Sequence, residues 1–445
     1  MIVVFASVFA MVIPSQVYAA DALTFDPTLN LSTGGNNAFL QVAASGSNVY
    51  AIWQSDISGL REIYFKKSTD NGATFGSTIK LSSTSSAAID PYVAASGSNV
   101  YVVWADNTPG NFDIYFKRST DNGATFGSKI NRSNTAAMSD KPMVVASGNY
   151  VYVMWSEATS GTGHNEVYLV RSSDNGATFG SVINVSATTG YSRYPFMTVS
   201  GSNVYIAWSE TKYDGSIVYY GDIYFKKSTD NGATFGSAIQ LSNTQGRSGE
   251  PYGGQPRGEV KIVASGSNVY VTWGDAINYD DLYTDVFFSK STDSGSTFST
   301  AVNLSNNPTN SKTMQIAASG TNVHIVWSDN SVGEIFYRKS TDSGSSFSTA
   351  VNLSGNTGQS INPQIANVGT SDMQIVWTDA STASTYNDVL LRKSSDNGAT
   401  FDSAINVSGT YYGSEDGRLA VSSGMVHVVW RETSSQEYIK YRVGS

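Results

Sequence analysis

The chain has 445 residues, a net charge of −9 and no cysteine. Its length would suit two or three average domains, so internal repeats have to be sought before domains are counted. Only 14% of the residues are charged and they form no basic stripe, which argues against nucleic-acid binding. The lack of cysteine excludes disulfides, a thiol nucleophile and a cysteine-ligated metal.

The N-terminal residues Ile2–Ile13 form one apolar run, followed by Pro14 and a small-residue site that ends at Ala19. This pattern predicts a secretory signal peptide over residues 1–19. No Lys or Arg precedes the run, so a truncated start or a retained anchor stays open, but the run is shorter than the ~20 residues of a spanning helix. No later segment could span a bilayer, and we expect a secreted or cell-surface protein with mature residues 20–445.

An eight-residue pattern, Ser-x-Asp-x-Gly-x-Thr/Ser-Phe, recurs seven times, first at Ser68–Phe75. Asp and Asn bond their own backbone in tight turns and Gly supplies a positive φ, so each copy predicts a turn between strands. The final Phe needs a repeated burial site, so we interpret the segment as structural and call it the clasp. The other clasps are Ser119–Phe126, Ser172–Phe179, Ser228–Phe235, Ser291–Phe298, Ser340–Phe347 and Ser394–Phe401.

A second repeated block, typified by Ala95–Trp104, ends at a tryptophan and defines a unit of 50 to 65 residues. Alternating β-branched and aromatic residues, separated by Gly, Asn and Ser, predict four strands, A to D, in each unit. In one unit these are Tyr92–Ala95, Val100–Trp104, Ile114–Arg118 and Phe126–Asn131. No stretch has a convincing helical period. The tryptophans are Trp53, Trp104, Trp155, Trp208, Trp273, Trp327, Trp377 and Trp430.

The two ends of the chain contain complementary parts of one unit. Residues 24–32 match the strand-D region 74–82, whereas the last unit, Leu419–Val443, supplies strands A, B and C and then stops. Four-stranded units repeated radially form a β-propeller, whose closure hides strand edges. We therefore predict an all-β fold, a single eight-bladed β-propeller of four-stranded antiparallel blades over 20–445, in which the N-terminal strand completes the last blade.

The clasp resembles the Asp-box, or BNR repeat, of sialidases and related propellers. Seven copies in register across nearly the whole mature chain imply a β-propeller of the sialidase-like superfamily. Similar boxes occur in enzymes, receptors and binding proteins, so the resemblance implies less about function. The sialidase propeller has six blades, and the predicted eight depart from it.

The resemblance also implies what a sialidase site would contain: three arginines for the substrate carboxylate, a tyrosine nucleophile assisted by glutamate, and an aspartic acid. The nearest match to the family's arginine motif is Arg193–Pro195, which precedes a strand A. Proline recurs at this place in other units, so the arginine there can be incidental. Arg257, Arg418 and Arg431 could complete a cluster, but no motif supports them, and we assign no catalytic residue.

In each blade the A–B and C–D turns share one face, and the B–C loops share the other with the links from strand D to the next strand A. The clasps mark the first face as structural, so we expect function on the second, which we call the loop face. Blades four and five have the longest B–C loops, and their link, from Phe235 to Ser265, spans 30 residues against about 21 elsewhere.

This enlarged sector predicts a ligand-binding wall for a carbohydrate or peptide, since tyrosines offer stacking faces and charged groups offer hydrogen bonds. Tolerated loop growth is the alternative. The predicted wall consists of Glu210, Tyr213, Asp214, Tyr219, Tyr220, Glu250, Tyr252, Arg257, Asp275, Tyr279, Asp280 and Asp281.

In seven units the residue two after the tryptophan is acidic. These acids either make a repeated structural hydrogen bond or ring the central channel, where they could capture a cation such as Ca²⁺. We find no zinc spacing or phosphate-binding loop and assign no metal and no cofactor. The seven acids are Asp106, Glu157, Glu210, Asp275, Asp329, Asp379 and Glu432.

The remaining candidates have structural interpretations. His324 and His427 replace Tyr in strand B and are interpreted as sheet residues, and His164 as a solvated loop residue. Six Asn-x-Ser sequons occupy equivalent strand-D positions, which either the repeat or glycan attachment explains. They begin at Asn30, Asn131, Asn184, Asn303, Asn352 and Asn406.

Together these features favour an exported, non-catalytic propeller that binds a glycan, or an extracellular or envelope protein, through its loop face. We expect a monomer with no nucleic-acid partner and no membrane span in the mature chain. A sialidase-like exo-glycosidase and a structural surface-layer or assembly component are the alternatives.

Overall fold

The computed structural model contains eight four-stranded antiparallel sheets, and every regular element of the described residues is a β-strand. No helix in this part of the chain is long and apolar enough to cross a membrane. The structure describes residues 23–57, 59–158, 164–188, 190–213, 219–242, 260–275, 284–307, 310–369, 371–380 and 386–445.

The strands of blades one to four are β2 (Asn37–Ser45), β3 (Asn48–Ser55), β4 (Glu62–Ser68), β5 (Ile79–Lys80); β6 (Ala88–Ser96), β7 (Asn99–Asp106), β8 (Asp113–Ser119), β9 (Ile130–Asn131); β10 (Ser139–Ser147), β11 (Tyr150–Ala158), β12 (Asn165–Ser172), β13 (Ile183–Asn184); β14 (Tyr191–Ser200), β15 (Asn203–Tyr213), β16 (Tyr219–Ser228) and β17 (Ile239–Gln240).

The strands of blades five to eight are β18 (Lys261–Ser265), β19 (Asn268–Asp275), β20 (Asp285–Ser291), β21 (Val302–Asn303); β22 (Ser311–Ser319), β23 (Asn322–Asp329), β24 (Glu334–Ser340), β25 (Val351–Asn352); β26 (Ser360–Val368), β27 (Asp372–Asp379), β28 (Asp388–Ser394), β29 (Ile405–Asn406); β30 (Gly413–Ser422), β31 (Met425–Thr433), β32 (Glu437–Gly444) and β1 (Leu29–Asn30).

The blades form a closed ring, which confirms the predicted fold. Strand A of each blade contacts strand A of the next blade, from β2 through β6, β10, β14, β18, β22, β26 and β30, and β30 contacts β2. The N-terminal strand completes blade eight, with Leu29 paired to Tyr441 and Asn30 to Lys440. A further bridge joins Phe25 to Gly444, so the two ends of the chain are held together without a disulfide.

The strand bounds differ from the predicted ones at both edges of a blade. In blade two, strand A covers Ala88–Ser96 rather than Tyr92–Ala95, and strand D shrinks to Ile130–Asn131. The clasp accounts for the short strand D, because its turn bonds extend to Thr125 and Phe126 packs against blade one before pairing resumes. The clasp turn also bonds the A–B turn, from Asn122 N to Ser98 O at 2.9 Å, so these turns share one face as expected.

The tryptophans lie in the cores between neighbouring blades. Each of the eight has at most 1% of its surface exposed. In blade two, Trp104 stacks on Tyr115 of its own sheet at 6.1 Å and joins the buried cluster that contains Ile63 and Phe65 of blade one. Neighbouring sheets thus pack face to face around one large aromatic residue per blade, because a single sheet cannot bury its own apolar faces.

Each clasp is a hydrogen-bonded turn that also contacts the preceding blade. In the first copy Ser68 Oγ donates to Asp70 Oδ1 at 2.6 Å, and Asp70 accepts from the backbone and hydroxyl of Thr74. These bonds lower the pKa of Asp70 to about 2, since they favour the charged form. In the second copy Phe126 packs edge-on against Phe65 of blade one, with ring centroids 5.0 Å apart.

The clasp glycine is required by its backbone and by its neighbour. Gly123 has φ of +75°, and a Cβ there would lie 2.8 Å from the Phe65 ring of blade one. Only glycine avoids both costs, which explains its recurrence in every copy.

Two histidines are buried in strand B, as expected. His324 Nδ1 lies 2.7 Å from the Tyr337 hydroxyl, and His427 Nδ1 lies 2.8 Å from the Tyr441 hydroxyl. Burial lowers the pKa of each imidazole from 6.5 to about 4. The equivalent residue in blade seven is the neutral Gln374, so the fold accepts an uncharged amide at this position.

We predict that removing residues 1–32 destabilises the propeller strongly, compared with a matched variant that lacks only residues 1–22. The longer deletion removes Leu31, which is 1% exposed, and uncovers an edge of β32. The expected result is a large fall in melting temperature with aggregation, measured by circular dichroism and light scattering. Identical unfolding curves for the two variants would contradict closure by β1.

We predict that the buried histidines make stability depend on pH between about 6.5 and 4. Because their folded pKa is lower than the unfolded value, the unfolded chain binds more protons in this window, and stability falls as pH falls. The variant His427→Gln should lose less stability on acidification than the wild type does, and the difference in unfolding free energy should reach about 3 kcal/mol at pH 4. Urea unfolding at pH 7.5 and pH 4.5 measures it, and an unchanged slope would contradict the prediction.

Candidate functional site

Strand A of seven blades contains a bulge on the side of the loop face. The pairing with strand B skips two residues there, as between Ile89 and Tyr92 of blade two. One residue of each bulge has a positive φ between 47° and 56° although it is not glycine, a conformation found disproportionately at functional sites. In blade five the equivalent residue lies outside the described part. The seven residues are Phe39, Asp90, Lys141, Tyr194, Thr313, Asn362 and Asp416.

The bulges border an axial cavity of about 360 Å³. Every blade supplies one equivalent residue to the lining of the cavity. This residue lies on strand A and pairs with the residue that precedes the tryptophan of strand B. In blade two, for example, it is Tyr92, which pairs with Val103. Unlike the tryptophans, these residues are not constant, because three are Gln and the other five are all different. The eight equivalent strand-A residues are Gln41, Tyr92, Met143, Phe196, Lys261, Gln315, Gln364 and Arg418.

The cavity combines aromatic surfaces, amides and charges. Phe39 and Tyr194, both at bulge positions, also line it. The Lys261 ammonium lies 4.6 Å from the centre of the Phe196 ring, and the Arg418 guanidinium donates to the carbonyl of Gly417 at 3.2 Å. Such a lining offers stacking faces and hydrogen-bond donors and acceptors to one small polar molecule.

An ion pair stands at one side of the cavity, between blades two and three. Lys141 Nζ lies 3.1 Å from Asp90 Oδ2. Burial alone would lower the pKa of Lys141, but the carboxylate of Asp90 raises it above its ordinary value. Burial raises the pKa of the neighbouring Asp140 carboxyl to about 6. This sector therefore holds a carboxyl group that can change protonation near neutral pH.

Two residues of the predicted wall are buried inside their blades. Glu210 accepts from the Trp208 indole at 3.1 Å and from Ser192 Oγ at 2.6 Å. Asp275 accepts from the Trp273 indole at 3.3 Å.

Three other wall residues, Tyr213, Tyr219 and Tyr220, lie on the extended β15–β16 hairpin, in which Tyr213 pairs with Tyr219. The rest fall outside the described residues, namely Asp214, Glu250, Tyr252, Arg257, Tyr279, Asp280 and Asp281.

The acids that follow the tryptophans do not ring the channel. They are buried, and in five blades the acid accepts a hydrogen bond from the indole of the tryptophan two residues before it, as between Trp155 and Glu157 at 2.9 Å. These bonds favour the structural interpretation of the acids over the cation-binding alternative. No group of three or more potential metal ligands occurs within the described ranges.

The repeated Asn-x-Ser segments have a structural role. In blade two, Ser133 Oγ accepts from the Ile114 amide at 2.9 Å and donates to Asp113 at 3.0 Å. Asn131 Nδ2 donates to the same carboxylate at 2.7 Å. These bonds fasten strand D to strand C, which supports the interpretation that the repeat itself selects Asn and Ser.

The candidate arginines belong to separate places. Arg193 lies on the bulge of blade four, 5.0 Å from the centre of the Tyr191 ring, whereas Arg418 belongs to blade eight on the opposite side of the ring. Arg431 donates to Glu415 at 2.8 Å and to Glu437 at 2.7 Å within blade eight. The fourth, Arg257, lies outside the described residues. Of the described candidate arginines, Arg418 alone lines the axial cavity.

The comparisons with known proteins concern the fold. No protein-family model and no curated protein matches the chain. The polysaccharide lyase Uly1 aligns with a TM-score of 0.55 and 9% identity over 93% of this chain and 90% of that chain. The NanB sialidase of Streptococcus pneumoniae aligns with a TM-score of 0.43 and 9% identity over 96% and 95%.

The α-L-arabinanase of Penicillium chrysogenum aligns with a TM-score of 0.42 and 12% identity over 70% of this chain and 94% of that chain. At such identities a likeness describes architecture alone. The β-propeller assignment rests on the eight closed blades of the chain itself.

Proposed function

We propose that the protein is an exported, non-catalytic propeller that binds a glycan on its loop face, with the axial cavity as the centre of the site. The observation that carries this proposal is the lining of the cavity. Aromatic rings of Tyr92, Tyr194 and Phe196 share this lining with the amides of Gln315 and Gln364. Sugars present both apolar ring faces and hydroxyl groups, and this mixture complements them.

The loops of blades four and five extend the proposed site. Phe196 and Lys261, which line the cavity, come from the two blades that have the enlarged loops. The predicted wall around Tyr219, Tyr220 and Tyr252 would then bind the outer part of the ligand. The likeness to a polysaccharide lyase adds only an analogy at the level of the fold.

A glycosidase acting beside the cavity is the second candidate, because Asp140 precedes the lining residue Lys141 and burial raises the pKa of its carboxyl group to about 6. A carboxyl group with this pKa suits general acid–base catalysis near neutral pH. Hydrolysis of a fluorogenic glycoside panel, including a sialoside, that is lost in Asp140→Asn and in Arg193→Ala would establish this candidate. Binding without turnover would exclude it for that panel.

We predict that Gln364→Ala and Arg418→Ala each weaken glycan binding about tenfold, because each removes a polar group from the cavity. The measurement uses immobilised oligosaccharides of two and of eight sugar units from cellulose, chitin, xylan, alginate and hyaluronan, followed by calorimetry with the members that bind.

The matched control is Gln240→Ala on the outer strand β17, which should bind as the wild type does. Equal affinities of all three variants would contradict a site in the cavity. Failure of the wild-type protein to bind any member of the panel would count against the proposed function and favour an assembly role.

A further inference from the structure

Two tyrosines in the link between blades seven and eight are unusually exposed. Tyr411 has 88% of its surface exposed and Tyr412 has 49%, and Tyr386 of the adjacent B–C loop has 51%. The link joins β29 to β30 and therefore lies on the loop face. Aromatic residues so exposed lose the burial that normally stabilises them, so a cluster of three on one face calls for an explanation.

The repeat itself shows that the fold does not need these tyrosines. The equivalent pairs in other links are Ser85-Ser86, Ala136-Ala137 and Thr357-Gly358. Each of these links ends in the same backbone bond to the preceding B–C loop. The bond joins Ala88 N to Arg61 O, Ser139 N to Phe112 O and Ser360 N to Gly333 O, each at 2.8 Å, and Ser414 N to Asn387 O at 2.7 Å. Small residues thus build the same link, and the aromatic pair is an addition.

Strand β30 connects the tyrosine patch, Tyr386, Tyr411 and Tyr412, to the lining of the cavity. The bond from Ser414 to Asn387 holds the link beside Tyr386, and Asn387 Nδ2 donates to Glu415 Oε1 at 2.8 Å. From there strand β30 runs to Arg418 in the cavity lining. Arg418 lies six positions after Tyr412 along the chain, which corresponds to at most about 20 Å of extended strand.

We propose that the tyrosine patch is a second subsite for a polymeric glycan whose other part occupies the axial cavity. The inference rests on the proposed function and specifies its ligand as a chain of several sugars rather than a single sugar or a disaccharide. Tyrosine suits this role because its rigid ring supplies contact area at low entropic cost and its hydroxyl can bond the sugar. Two subsites on one chain increase affinity through effective concentration.

The test compares chain lengths in the double variant Tyr411→Ala/Tyr412→Ala. This variant carries the Ala-Ala pair already present at Ala136-Ala137, so its melting temperature should match that of the wild type. With the polysaccharide series that the wild type binds among cellulose, chitin, xylan, alginate and hyaluronan, the eight-unit oligomer should bind about tenfold more weakly to the variant. The two-unit oligomer should bind both proteins equally.

Three outcomes would overturn the inference in distinguishable ways. If the variant binds both lengths as the wild type does, the patch is no subsite, while the proposed function stands. If the affinities for both oligomers fall equally, the tyrosines affect binding in the axial cavity and do not form a second subsite. If the wild type binds no oligomer but associates with itself or another protein through the patch, the proposed function falls together with this inference.

Discussion

Each blade has an apolar face that only a neighbouring blade can cover, and the molecule depends on this inter-blade packing. Trp104 of blade two is buried with Ile63 and Phe65 of blade one, and the clasp residue Phe126 reaches across to the same Phe65 ring. No blade can be the last one in such an arrangement, because its outer face would remain uncovered. The ring has to close, and β1 provides the closure by completing blade eight.

Because the eight blades are nearly equivalent, residues that the scaffold requires recur in them, whereas residues available for a binding site can vary. The clasp glycine, the tryptophan and the Asn-x-Ser segment recur because the same close contacts recur. At the strand-A position that lines the axis, three blades have Gln and the other five have Tyr, Met, Phe, Lys and Arg. A position that the repeat leaves free, on the face opposite the clasps, is where a ligand can be accommodated without loss of the scaffold.

The axial bulges connect the scaffold to the proposed site. Strand A is the innermost strand, and bulges break its pairing in seven blades at residues such as Asp90 and Tyr194. Holding non-glycine residues at positive φ costs conformational energy, which the surrounding sheets must offset. In return, the strands turn side chains from every blade towards one axis, and a cavity of about 360 Å³ results. The same geometry places Arg193 on blade four and Arg418 on blade eight, and only Arg418 lines the cavity.

The sequence alone determined the all-β fold, the number of blades, the clasps and the closure by the N-terminal strand, because these follow from local turn chemistry and from repetition. The structural interpretation of the acids after the tryptophans also agrees with strand alternation, because residues two apart share a face, as Glu157 and the Trp155 indole do. Only the tertiary structure decided that Gln364 and Arg418 line one cavity and that Ser414, near Tyr412, bonds Asn387, the residue after Tyr386. Those proximities arise from the radial arrangement of distant blades, and neither spacing nor composition along the chain encodes them.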